Sequence, residues 1–114
     1  MSMLNNFIVK SNAVLKEALV VINKNSYGIC FVVSDKKLVG VLTDGDIRRS
    51  LINNAKLDDS VETVMNRNFV AMHIGTPSNE VRRKISNHIR VIPLLNSDGL
   101  LVDISNIKKT HSIL

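Results

Sequence analysis

Hydrophobic and polar positions along the chain change their period several times, and each change predicts an element. Residues 7–9 form a short apolar run of strand length. From Asn12 onward Val14, Leu15, Ala18, Leu19 and Ile22 recur at helical spacing, and the polar residues 23–26 close the pattern. Two β-rich runs, residues 29–33 and 38–42, flank Ser34-Asp35-Lys36-Lys37 and read as a hairpin with a short polar turn. After Thr43 the stretch DGDIRRSLINN is helical, with Ile47, Leu51 and Ile52 on one face. The first half is therefore β-α-β-β-α.

The second half repeats this order. Val61, Val64 and Met65 suggest a short helix, and residues 69–72 a strand. Thr76-Pro77 reads as an N-cap followed by proline at the first helical position, opening a helix through Val81 and Ile85. Residues 89–95, the turn Asn96-Ser97-Asp98-Gly99 and residues 100–104 form a second hairpin. Sliding one half by 62 residues sets Val33 on Leu95, Leu38 on Leu100, Leu42 on Ile104 and Thr43 on Ser105. The expected organisation is two repeats, 1–56 and 57–114, in a mixed α+β fold, with the polar residues 53–60 as connector. A unit of about 50 residues builds little core alone, so the two copies are expected to pack on each other.

Composition narrows the function. The chain has 114 residues, too few for a two-lobed enzyme with an interdomain cleft. Its 45% hydrophobic content fits a folded domain, and no apolar run approaches the ~20 residues of a membrane span. The start MSMLNNFIVK lacks the basic patch, apolar core and cleavage site of a secretory signal, so a cytoplasmic location is expected. The single cysteine, Cys30, sits in an apolar run and reads as a buried, inert thiol. Net charge is +5, and it is uneven: residues 1–57 carry 8 Lys+Arg against 4 Asp+Glu, residues 58–114 carry 7 against 6. An anionic partner should favour the first half.

The chemistry concentrates in Val39-Gly40-Val41-Leu42-Thr43-Asp44-Gly45-Asp46-Ile47-Arg48-Arg49, which runs from a strand through a turn into a helix N-terminus. Free amides and the positive end of the helix dipole suit an anion there, and glycine allows close approach to the backbone. The Thr43 hydroxyl can donate to a phosphate oxygen. Asp46, three residues on, can accept from the 2′,3′-hydroxyl pair of a ribose. The same spacing, [ST]-x-x-[DE] before an apolar run, is also a helix capping box, and caps are needed at every helix whereas ligand sites are few. Arg48 or Arg49 is placed to contact a phosphate.

With these residues in hand, the chain resembles a tandem pair of CBS domains, the Bateman module. The likeness runs from Phe7 to about Lys108 and rests on Gly40-x-x-Thr43-x-x-Asp46 and on Ile89-Arg90-Val91-Ile92-Pro93-Leu94-Leu95 before a turn. The resemblance implies two β-α-β-β-α repeats packed about a pseudo-twofold axis, with an adenosine-type nucleotide (AMP, ADP or ATP) bound in the cleft between them. It implies Thr43 for the phosphate, Asp46 for the ribose, and Tyr27, Gly28 and Ile29 around the base; of the two arginines, Arg48 is taken as the site residue. In the second repeat Val102, Ser105 and Lys108 stand against Gly40, Thr43 and Asp46, and a lysine accepts nothing from ribose, so one degenerate cleft is expected. The phrasing LTDGDIRRSL and IRVIPLLNSDGLLVDI resembles the CBS pair fused ahead of bacterial sugar-phosphate nucleotidyltransferases. More loosely it resembles the pair behind arabinose-5-phosphate isomerase domains. The chain is then expected to be a regulatory piece, alone or fused to that catalytic domain, and to form a homodimer.

Other features weigh less. Arg82-Arg83-Lys84 reads as a solvated helix face, and Asp58-Asp59 with Glu62 as helix N-terminal acids. His73, His88 and His111 show no metal spacing, and no metal is expected. No Walker A, Gly-x-Ser-x-Gly elbow or Cys/His nucleophile pair is present, so catalysis is not expected from these residues. Two other readings compete: a ligand-free dimerisation module, and a nucleic-acid binder, the latter disfavoured by an aromatic content of 4%.

Overall fold

A computed structural model of the chain describes residues 3–86 and 89–106. These residues form two compact units, Met1–Phe69 and Val70–Leu114. In the first unit β1 (Ile8–Lys10) leads through α1 (Leu15–Asn25) to β2 (Ile29–Ser34), β3 (Lys37–Thr43) and α2 (Asp44–Ile52). The sheet order is β1-β2-β3, with β1 parallel and β3 antiparallel to β2. Leu15, Ala18 and Ile22, three and four residues apart, put one stripe of α1 against Cys30, Val32 and Leu42 from the sheet and Ile47 from α2. Alternation sends Phe31 to the other face of the sheet, where its ring stacks on Phe7 at 6.1 Å.

Local chemistry explains where these elements start and stop. The helix expected from Asn12 begins at Leu15, because the Ala13 amide first turns back to the Lys10 carbonyl at 2.9 Å. Val14 is the N-cap and offers no side-chain acceptor. The carbonyls of Asp59 and Leu57 serve instead, accepting from the amides of Leu15 and Lys16 at 2.9 Å each. At the other end Ser26 takes a left-handed conformation, φ 64°, and closes α1 on the Ile22 carbonyl. The hairpin turn is two residues, Asp35 and Lys36, both at positive φ (48° and 68°), which matches the twist of the flanking strands. The strand expected over residues 7–9 is shifted by one, since Phe7 ends a short 3-10 turn.

Residues 57–66 belong structurally to the first unit although the sequence repeat changes at 56/57. Val61 donates to the Ala13 carbonyl, and Val41 and Asn66 exchange both backbone hydrogen bonds, at 2.9 and 2.8 Å. The short 3-10 turn Val61–Thr63 lies between, where the apolar spacing suggested a short helix. This lays Met65 across β3 at a bulge, where Val39 is the extra residue between the Val32↔Gly40 and Val33↔Leu38 pairs. A Cβ on Gly40 would fall on the Met65 side chain, 2.6 Å from its Cγ. Packing against Met65 is therefore one reason for glycine at position 40.

The second unit contains β4 (Met72–His73), α3 (Ser78–Lys84), β5 (Val91–Leu95) and β6 (Leu101–Asn106). The order β4-β5-β6 repeats the parallel-then-antiparallel pattern of the first sheet. Val81, Ile92 and Leu94 form its small core, with Met72, Ile85 and Ile89 packed around them. The strand expected over residues 69–72 contracts to Met72 and His73. Thr76 does not cap α3: its hydroxyl and amide both donate to the His73 carbonyl, at 2.6 and 3.1 Å, and Pro77 occupies the N-cap position.

Two predictions follow from this packing. Gly40→Ala should destabilise the chain by about 1–3 kcal/mol in urea denaturation, the usual cost of overpacking. In a Met65→Ala background the same change should cost less, because the obstructing side chain is gone. The second concerns Cys30, which is buried, with its thiol pushed up from 9.0 to about 12 by desolvation. Above pH 9 the unfolded thiol loses its proton while the folded one keeps it, so stability falls as pH rises toward 12. The stability of wild type relative to Cys30→Ala should decline across that window, by at most about 1.4 kcal/mol per pH unit.

Candidate functional site

The register of β2 and β3 assembles the candidate residues. Ile29 is the Cα partner of Thr43, and the Gly28 carbonyl accepts from the Asp44 amide at 2.9 Å. The segment 27–29 is thereby held against the strand-to-helix turn. Gly28 has φ 74°, a conformation open to glycine at little cost. Asn25 fixes the approach to it: Oδ1 accepts from the Tyr27 amide at 2.7 Å, and Nδ2 donates to the carbonyls of Ile29 at 2.9 Å and Asn6 at 3.0 Å. Tyr27 is half-buried, its ring 5.6 Å from that of Phe7.

At the start of α2, Thr43 and Asp46 form a reciprocal capping box. The Thr43 hydroxyl accepts from the Asp46 amide at 3.0 Å, and Asp46 Oδ2 accepts from the Thr43 amide at 3.2 Å. Arg49 closes the arrangement, its Nη2 2.7 Å from Asp46 Oδ1. The guanidinium folds back over Gly45, whose missing side chain leaves room for it. Arg48 instead pairs with Asp44, and both side chains are well exposed. Arg49, not Arg48, is the cation beside the motif.

This geometry leaves defined capacity for a ligand. The Thr43 oxygen accepts one bond and retains its proton to donate. Each Asp46 oxygen accepts one hydrogen bond and has a second lone pair, and the side chain is 31% exposed. Of the first three amides of α2, Asp44's is taken by Gly28 and Asp46's by Thr43, which leaves Gly45's. An open pocket of about 460 Å³ adjoins the turn, lined by Leu19, Ile22, Asn23, Ser26, Gly28 and Asp44. Four parts of the expected site, Gly28, Ile29, Thr43 and Asp46, are thus brought together, with Tyr27 alongside.

Among the described residues, the second repeat pairs its strands in a shifted register. Its hairpin loop is one residue longer, since Val33 pairs with Leu38 but Leu95 pairs with Leu101. Ile92↔Ser105 corresponds to Cys30↔Leu42, and Val91↔Asn106 to Ile29↔Thr43. Ser105 therefore takes the place of Leu42 and is buried, and Asn106 stands where Thr43 does. Lys108 lies outside the described residues, as do His88 and His111. Among the described residues no three His, Cys, Asp or Glu side chains come together, and no helix is long and apolar enough to cross a membrane.

The family model of the CBS domain matches residues 3–53, and the described residues share the fold of tandem CBS domain pairs. The chain is similar to the CBS domain pair of protein MJ0100, solved in complex with 5′-methylthioadenosine and S-adenosyl-L-methionine. That likeness covers 94% of this chain and 89% of the other at 27% identity and TM-score 0.75. The fold is shared with CBSX2 from Arabidopsis thaliana, whose complex with AMP gives 21% identity, TM-score 0.78 and coverage of 99% and 90%. Among curated proteins it is 30% identical over 88 residues to the inosine-5′-monophosphate dehydrogenase of Halalkalibacterium halodurans, covering 76% of this chain and 18% of the enzyme. The chain spans only 18–24% of the length of the curated relatives it matches.

Asn25 organises the site without having been singled out in the sequence, and Met65, read there only as part of a short helix, packs on Gly40. An asparagine beside a left-handed helix stop was the available signal for the first. The capping role of Thr43 is separable from any ligand role. Thr43→Val should remove the cap and cost about 1 kcal/mol of stability, whereas Thr43→Ser should cost little, as read by thermal unfolding without ligand.

Proposed function

We propose that this chain is a regulatory module that binds an adenosine nucleotide at the N-terminus of α2. Thr43 and the Gly45 amide meet the phosphate, Asp46 accepts from the ribose, and the segment Tyr27, Gly28 and Ile29 flanks the base. The observation that carries this reading is the joining of residues 27–29 to Thr43 and Asp44 by strand pairing and one backbone hydrogen bond. Adenosine-type ligands in two proteins of the same fold support it. Arg49 supplies the positive charge by turning from Asp46 to the phosphate, with Arg48 held on Asp44 further out. Occupancy would bias an attached or partner enzyme by favouring one of its conformations. The phrasing of the motif points to a sugar-phosphate nucleotidyltransferase as that enzyme, with a sugar-phosphate isomerase as the alternative.

A specific observation also favours a second reading, a ligand-free dimerisation module. The capping box and the Arg49 pair satisfy Thr43 and Asp46 internally, and Val20 and Ile52 lie exposed on α1 and α2, at 47% and 74%. Calorimetric titration with AMP, ADP and ATP separates the two. The nucleotide reading expects saturable binding that survives in Thr43→Ser and weakens at least tenfold in Asp46→Asn, whose amide oxygen can still cap the Thr43 amide. A dimer whose affinity for every nucleotide is undetectable would establish the second reading.

A further inference from the structure

We propose a second ligand site in the first unit, at the end of the sheet opposite to Thr43, which takes a small phosphomonoester. Parallel strands β1 and β2 end side by side at Lys10 and Ser34. From there the chain leaves in different directions, through Ser11 and Asn12 toward α1 and through Asp35 and Lys36 into β3. Such a divergence beyond the carboxyl ends of parallel strands opens a crevice, the usual ligand position in open α/β sheets. Here the crevice is a pocket of about 420 Å³ lined by Lys10, Ser11, Asn12, Ser34, Asp35 and Lys36, with Val33 at its base. That volume lies within the range of small-molecule sites. The Ser11 amide bonded to the Val33 carbonyl at 2.8 Å ties the two walls together.

The lining fits an anion. Neither Lys10 nor Lys36 has a carboxylate within ion-pair distance among the described residues, and Ser11, Asn12 and Ser34 bring donors to the same crevice. Lys36 also occupies a left-handed position, φ 68°, where glycine or asparagine would sit without strain. A lysine held there at that cost puts a charge at the rim that the turn itself does not need. Asp35 opposes an anion, and its removal should tighten binding.

The site is separate from the proposed nucleotide site. Ile29, at the start of β2, pairs with Thr43, and Ser34, at its end, pairs with Lys37. Five strand residues at ~3.3 Å each set the two ends about 17 Å apart. One phosphate cannot serve both.

The test uses the whole chain, ¹⁵N-labelled, titrated with inorganic phosphate at constant ionic strength and followed by amide chemical shifts. We expect saturating shifts at Ser11, Asn12, Ser34, Asp35 and Lys36. Affinity should fall at least tenfold in Lys10→Ala with Lys36→Ala and rise two- to threefold in Asp35→Asn. Shifts confined to residues 43–46, a linear response without saturation, or unchanged affinity in the double lysine variant would each overturn the proposal. So would weaker binding by Asp35→Asn. Nucleotide titration of the double lysine variant reads the α2 site independently, so either site can fail without the other.

Discussion

The antiparallel register between β2 and β3 is the constraint on which the rest of the first unit depends. It sets Ile29 opposite Thr43, so the last residue of β3 arrives where the chain leaves α1, and the Gly28 carbonyl can receive the first amide of α2. The same register, shifted at the Val39 bulge, opens the space over Gly40 that Met65 fills. A slip by one residue would invert every side chain of β3, moving Leu42 out of the core and Thr43 away from the helix it caps. The buried faces of Cys30, Val32 and Leu42 prevent that slip, so hydrophobic burial ultimately positions the polar turn.

That turn uses one set of atoms for two purposes. The hydroxyl of Thr43 and the carboxylate of Asp46 hold the first turn of α2 together before any ligand arrives, which preorganises them at no further entropic cost. In the nucleotide reading proposed above, a ligand would not have to break the box, because it would use the proton of the hydroxyl and the second lone pairs of the carboxylate. On that proposal it would displace only the Arg49 contact, an exposed ion pair worth about 0.3–0.5 kcal/mol.

Most of this architecture was legible in the sequence. Helical spacing in α1 and α2 and the two hairpins came through because burial imposes strict periods on apolar residues. The Thr43 and Asp46 pairing was visible in the sequence as a capping box, which the structure forms. What escaped was set by contacts distant in sequence. Gly40 belonged to a recognised motif, yet the atoms that pack on it are those of Met65, twenty-five residues on. The start of α1 was misplaced because its cap is the backbone of residues 57 and 59, which no local pattern announces. Arg48 was favoured over Arg49, though a helix turn brings i+3 as readily as i+4 toward a partner, and here Asp46 captures Arg49 and Asp44 captures Arg48. In the second repeat a single extra loop residue displaced the alignment, so that Ser105 was matched to Thr43 although the strand pairing matches it to Leu42.

The backbone exchange between Val41 and Asn66 has a further meaning for solubility. It pairs Val41 at the middle of the free side of β3, whose amides and carbonyls would otherwise form an open row at the margin of the sheet. The repeat unit read from the sequence stops short of this strap. A first repeat cut at 56/57 would keep its motif, its hairpin and most of its apolar core while losing the guard on that margin, and it would expose a strand ready to pair with a neighbouring molecule.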